Sequence, residues 1–118
     1  MNERDKSQKE FNRLLDIIDE LRVKCPWDMK QTNESLRKLT IEETYELADS
    51  IFADDNEGIR NELGDLMLHI VFYAKIAEEK GLFSMAAIRP TSLPSRTARK
   101  KSTSECSKKG CFWRLSWL

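Results

Sequence analysis

The chain is poor in the residues on which several kinds of protein chemistry depend. Its 118 residues hold one histidine, His69, and three cysteines, Cys25, Cys106 and Cys111. A lone histidine excludes a zinc hydrolase of the H-E-x-x-H kind, which needs two. An odd set of cysteines with no C-x-x-C pair argues against both a disulfide scaffold and a structural zinc site. No apolar run approaches the roughly 20 residues of a membrane-spanning helix. The opening MNERDKSQKE also lacks the apolar stretch of a secretory signal, so the cytoplasm is the expected compartment. Carboxylates are what remains to do chemistry.

The length suits one small domain, and 40% hydrophobic with 34% charged residues is the composition of a soluble globular chain with a charge-rich surface. The net charge of +0 conceals a division. Residues 1–88 carry 12 Lys+Arg against 19 Asp+Glu, whereas residues 89–118 carry 8 against 1. Two unlike pieces are expected: a helical domain over 1–88 and a basic tail over 89–118. The tail has Ser or Thr at 9 of its 30 positions and no helical or strand period, the texture of a disordered or non-native segment. A nucleic-acid arm using Phe112, Trp113 and Trp117 is the less favoured reading of it.

Phe11, Leu14, Leu15, Ile18 and Leu21 recur at three- and four-residue steps and predict a helix over 8–24, ended by Cys25-Pro26. CPWDMKQTNESLRK reads as a loop with one helical turn. Thr40 stands three residues before Glu43, the T-x-x-E of a capping box, and predicts a helix from there to about Phe52 or Ala53. A turn at ADDNEG leads to a helix over about 57–79, with Ile59, Leu63, Leu66, Ile70, Ala74 and Ala77 along one side and Gly81 as its stop. The short connection makes these last two helices antiparallel neighbours.

On the first of that pair Glu43 and Glu46 are three apart; on the second Glu62 and Asp65 are three apart. Such neighbours project from one helix face. Glu42 and Asp49 widen the first acidic stripe, and Ile41, Tyr45, Ala48 and Phe52 form its apolar side. Most charge runs are solvated faces. Two acidic pairs on adjacent helices, however, would bring four carboxylates together against their mutual repulsion, which calls for a cation. All-oxygen donors suit Mg²⁺ or Mn²⁺. A di-iron bundle would need Glu-x-x-His, which is missing, so iron is disfavoured. His69, one turn beyond Asp65, reads as structural more readily than as a ligand.

These residues resemble the MazG-type nucleoside triphosphate pyrophosphohydrolases of the all-α NTP pyrophosphatase group. The resemblance lies in LLDIIDELRVKCPWDMKQT at 14–32, SLRKLTIEETYELADSI at 35–51 and ELGDLMLHIVFYAKIAEEKGLF at 62–83. It implies a helical domain that cleaves an NTP between the α and β phosphates, giving NMP and pyrophosphate with Mg²⁺. By position it makes Glu43, Glu46, Glu62 and Asp65 metal ligands. Glu42, or whichever glutamate stays off the metal (Glu43 included), is then the candidate general base. Trp27 is a candidate for stacking on the base, and Lys24, Lys30 and Lys75 for contacting phosphate oxygens.

The family pattern stops just after Phe83, where MAAIRPTSLPSRTARKKS replaces a further helix, as a shifted reading frame would give. Relatives can carry two tandem domains; one is expected here. Three helices make a thin core, so the expected fold is all-α, with antiparallel helices completing a four-helix-bundle-like core through homodimerisation. A non-catalytic helical module that binds a partner helix is the alternative function. No membrane partner is expected, and nucleic acid is disfavoured.

Overall fold

The computed structural model describes residues 1–91. They form three long helices, α1 (Glu3–Lys24), α3 (Asn33–Phe52) and α4 (Asn56–Glu79), with a single-turn helix α2 (Pro26–Met29) and a 3₁₀ turn at Met85–Ala87. No strand occurs among the described residues, so the all-α expectation holds for them. Met1–Ala87 form one compact unit. Most of the basic tail expected over 89–118 lies outside the described residues, as do Cys106, Cys111 and the tail aromatics.

Each helix boundary has a local cause. Asn2 and Asp5 cap the start of α1 reciprocally, and Cys25 takes an extended conformation at its end because a proline follows. Pro26 then occupies the first turn of α2, where no backbone donor is needed. The true start of α3 is Thr32, whose hydroxyl accepts from the Ser35 amide while Ser35 Oγ accepts from the Thr32 amide. The expected cap at Thr40 is thereby corrected. Thr40 lies two turns inside α3, and its hydroxyl donates to the Leu36 carbonyl rather than to a helix start.

The α3–α4 reversal is a tight one. After Ala53, Asp54 adopts φ 55°, the left-handed region. The Asp54 and Asp55 amides turn back to the carbonyls of Ile51 and Ser50, the double bond of a Schellman ending. Asp55 at once caps α4 by accepting from the Gly58 amide at 3.1 Å. Gly81, at φ 71°, ends α4 in the same way, with its own amide and that of Leu82 bonded to Glu78 and Ala77.

Helix α4 is the centre of the unit and packs against both α1 and α3. Ile18, Leu36, Val71, Phe72 and Ile76 form the buried core, with Phe11, Leu14, Leu15, Leu39, Leu68, Tyr73 and Met85 against it. Burying each large side chain of this kind contributes about 1.5–3 kcal/mol. Two expected stripes need correction. On α4 the buried residues are His69, Val71, Phe72, Ala74, Ile76 and Ala77, whereas Leu63 and Ile70 are half exposed. On α3 the expected apolar side faces outward, with Tyr45 69% and Phe52 95% exposed. The reason is that α4 is apolar on more than one side and touches two helices, so the three-four period alone cannot select its core line.

One side chain organises the α1–α2 corner. Arg22 Nη1 donates to the carbonyls of Asp28 (2.7 Å) and Gln31 (2.9 Å), and Nε pairs with Glu79 at 2.9 Å. Its guanidinium also stands 5.7 Å from the centre of the Phe72 ring. Arg22 therefore ties the CPWD turn to the far end of α4.

Candidate functional site

The tight reversal brings the acidic pairs of α3 and α4 face to face. One carboxylate oxygen from each of Glu43, Glu62 and Asp65 can be chosen so that all lie within 4.8 Å of one another. Glu43 and Glu62 are half-buried and Asp65 is exposed. Glu46, one turn after Glu43, joins them electrostatically. The Glu62 charge is the main cause that lifts the Glu46 carboxyl above its ordinary value, with burial and the nearby Glu42 adding to it. Glu62 is itself raised, first by the close approach of the Glu43 carboxyl, then by burial and by the charges of Glu43 and Asp65. The structure thus gathers the four acids named as ligands into one electrostatic unit, with Glu42 at its exposed rim.

Two atoms make this arrangement unlike a solvated acidic face. The Oε2 oxygens of both Glu43 and Glu62 are buried and have no hydrogen-bond partner. A buried carboxylate oxygen without a donor is costly, and here two of them stand among like charges. Hard carboxylate oxygens at this spacing fit a divalent cation such as Mg²⁺ or Mn²⁺, which would supply the missing partner.

One turn along the same helix pair lies a partly buried polar network that was not expected. Thr40 Oγ1 is 2.9 Å from His69 Nδ1 and 2.6 Å from Tyr73 Oη. Burial is the first influence on His69 and lowers its pKa, with Asp65 opposing. Its ring lies inside the helix pair, in keeping with a structural reading. The signal was present in the sequence: Leu36, Thr40, Glu43 and Leu47 follow one helical line, but the T-x-x-E spacing diverted Thr40 to a cap.

The residues named for substrate contact are placed differently. Lys75 pairs with Asp19 of α1 at 2.9 Å, which raises its pKa. It is ten residues beyond Asp65, about 15 Å along the helix, so the structure does not bring it to the acids. Lys24 pairs with Glu20 at 2.9 Å on its own helix. Trp27 is 54% exposed and so is not a buried anchor. Through Arg22 its turn is tied to the level of Glu79, roughly 20 Å from Asp65 along α4. Lys30 is exposed on the same turn.

Known proteins are similar to this sequence. The chain is 46% identical over 77 residues to the nucleoside triphosphate pyrophosphohydrolase of Escherichia coli K12, covering 63% of this chain and 29% of that protein. It is 44% identical over 77 residues to the nucleoside triphosphate pyrophosphohydrolase/pyrophosphatase MazG of Thermotoga maritima, covering 64% and 30%. With the nucleoside triphosphate pyrophosphohydrolase of Mycobacterium tuberculosis the identity is 46% over 70 residues, covering 57% and 22%. The aligned region thus spans less than a third of the length of these relatives. The MazG nucleotide pyrophosphohydrolase domain profile matches residues 31–101, running past Phe83, where the pattern was expected to stop; the match is more than half of the sequence and takes in both acidic pairs, and the chain belongs to that family.

Proposed function

We propose that the protein hydrolyses nucleoside triphosphates between the α and β phosphates, releasing NMP and pyrophosphate, with a divalent cation held by Glu43, Glu46, Glu62 and Asp65. The observation that carries this reading is the convergence of carboxylates from two helices with two buried oxygens left without donors, in a chain of the MazG family. Bound Mg²⁺, or Mn²⁺ in its place, supplies charge neutralisation for the triphosphate and acidifies a water molecule. The chain's own part is to fix the donor oxygens and to accept a proton. Glu42 is exposed beside the cluster and outside its closest group, so it is the candidate base that takes the water's proton. With a nucleotide substrate the cytoplasm is the proposed compartment; no helix among the described residues is long and apolar enough to cross a membrane.

The active form is proposed to be a homodimer. Ile41, Tyr45 and Phe52 on α3 and Leu63, Met67 and Ile70 on α4 are all 46% exposed or more, large apolar side chains that a single copy leaves in water. Pairing α3 and α4 with those of a second copy would cover these faces and complete a four-helix bundle.

Incubation with several NTPs and Mg²⁺, followed by measurement of pyrophosphate and NMP, tests the activity. Orthophosphate with NDP would overturn the bond assignment. No turnover together with no cation binding would favour a helical module that binds a partner through the same apolar faces.

A further inference from the structure

The Thr40 hydroxyl has more partners than a helix-surface threonine needs, and counting protons fixes their roles. It contacts the Leu36 carbonyl at 3.0 Å, His69 Nδ1 at 2.9 Å and Tyr73 Oη at 2.6 Å. A hydroxyl carries one proton and two acceptor lone pairs. The carbonyl can only accept, so when all three contacts are made at once the Thr40 proton goes to Leu36, and Tyr73 O–H and His69 Nδ1–H donate to Thr40. The one proton and both lone pairs of the Thr40 hydroxyl are then all used. The junction joins residue 40 of α3 to residues 69 and 73 of α4, three residues from Glu43 and four from Asp65.

The neighbouring turn has the opposite character. There Glu43 faces Glu62 and Asp65, and without a cation their charges push α3 and α4 apart. Something must hold the helices together on both sides of that level. Toward the reversal the half-buried Leu47 and Ile59 lie about one turn away. Toward the core the adjacent turn is occupied by the Thr40 junction, whose hydrogen bonds are directional and set register as well as distance.

We propose that Thr40 is a positioning residue for the cation site: by locking α3 to α4 through His69 and Tyr73, it holds Glu43 in register with Glu62 and Asp65 before a cation binds. This inference rests on the reading of the acidic cluster as a cation site. Its function is distinct from that of the ligands, since Thr40 itself touches neither cation nor substrate.

The test is Mn²⁺ affinity of the full chain by titration calorimetry, with helix content followed by circular dichroism. Thr40→Val keeps the side-chain shape and removes the hydroxyl. It should bind Mn²⁺ at least tenfold more weakly than the parent at unchanged helix content, while Thr40→Ser, which keeps the hydroxyl, stays within twofold. Ile18→Val loosens the core on another helix and should leave Mn²⁺ affinity within twofold, separating positioning from general loss of stability. Parent-like affinity in Thr40→Val would overturn the proposal, as would equal weakening by Ile18→Val. If Thr40→Val does not fold, Tyr73→Phe carries the test: about threefold weakening supports the junction's role, and no change refutes it. A parent that binds no Mn²⁺ would instead refute the cation-site reading itself, and this inference with it.

Discussion

Replacing Arg22 should be the most damaging single change outside the apolar core. Its guanidinium is 15% exposed and is shared among three elements. Two short bonds reach the carbonyls of Asp28 and Gln31, at 2.7 and 2.9 Å. A hydrogen bond to a charged group contributes about 1.5–3 kcal/mol, and the partly exposed ion pair with Glu79 adds under about 1 kcal/mol. Some of this is lost in Arg22→Ala to water that re-solvates the freed carbonyls, leaving an expected destabilisation of about 3–4 kcal/mol. For a domain of this size each kcal/mol moves Tm by roughly 4–8 °C, so the shift should exceed about 10 °C. Arg22→Lys keeps the charge but not the fork that spans carbonyls and carboxylate together, and should recover less than half of the loss. The pH dependence adds a signature. Arg22 holds the Glu79 carboxyl below its ordinary value, so this contribution is present above the ordinary carboxylate range and fades as pH falls through the depressed value. The gap between parent and Arg22→Ala should narrow on acidification. Urea unfolding at several pH values measures all of this. A loss below about 1 kcal/mol at neutral pH would show that the carbonyl contacts do not carry the corner.

Four further outcomes are expected. Asp54→Gly should stabilise the protein by about 1 kcal/mol, because a left-handed φ of 55° strains a side chain and its carboxylate sits at the unfavourable C-terminal end of α3; a lower Tm would contradict this. Glu62→Gln should raise Tm of the cation-free protein: the parent's raised Glu62 carboxyl means the native state binds its proton more tightly, so stability falls as pH climbs from the ordinary carboxylate value through the raised one. The Tm gap should be widest near neutrality and close in acid, and a gap independent of pH would refute the repulsion. Glu43→Gln or Asp65→Asn should remove pyrophosphate release and weaken Mg²⁺ binding with helix content nearly unchanged; full turnover in either variant would exclude that residue as a ligand. Tyr45→Glu, on the exposed face of α3, should shift light-scattering mass from two copies to one, whereas a parent already monomeric would refute the dimer.

What could be read in advance followed from strong local chemistry. Cys25-Pro26 had to end α1, Gly81 had to end α4, and a short polar connection had to turn α3 back on α4. The i,i+3 spacing of the acids then required little more than that reversal to bring them together. What could not be read depended on competition between local signals or on packing. Thr32 and Ser35 cap α3 through a serine where the usual partner is Glu or Gln, and Thr40 offered the more familiar spacing. The α4 stripe through Leu63 and Ile70 was as good by period as the buried line through Val71, Phe72 and Ile76, and only the position of α1 decides between them. Arg22 gave no warning at all, since nothing in its neighbourhood distinguishes it from a surface arginine near a helix end.

Helix α4 changes character along its length, and this division explains how a small unit can afford a repulsive site. From His69 to Ala77 it is buried against α1 and α3, and the stability of the unit resides there. From Asn56 to Leu66 no residue is fully buried, and the acids of both helices are concentrated at that end. The Thr40 junction stands where the two regimes meet. Because like-charge repulsion falls off with distance and is screened where solvent enters, the strain of the cluster stays in the open half and does not reach the Val71–Ile76 core. Cation binding would then relieve a local conflict rather than fold the domain. The same separation predicts that core and site tolerate substitution independently, except at the residues that join them.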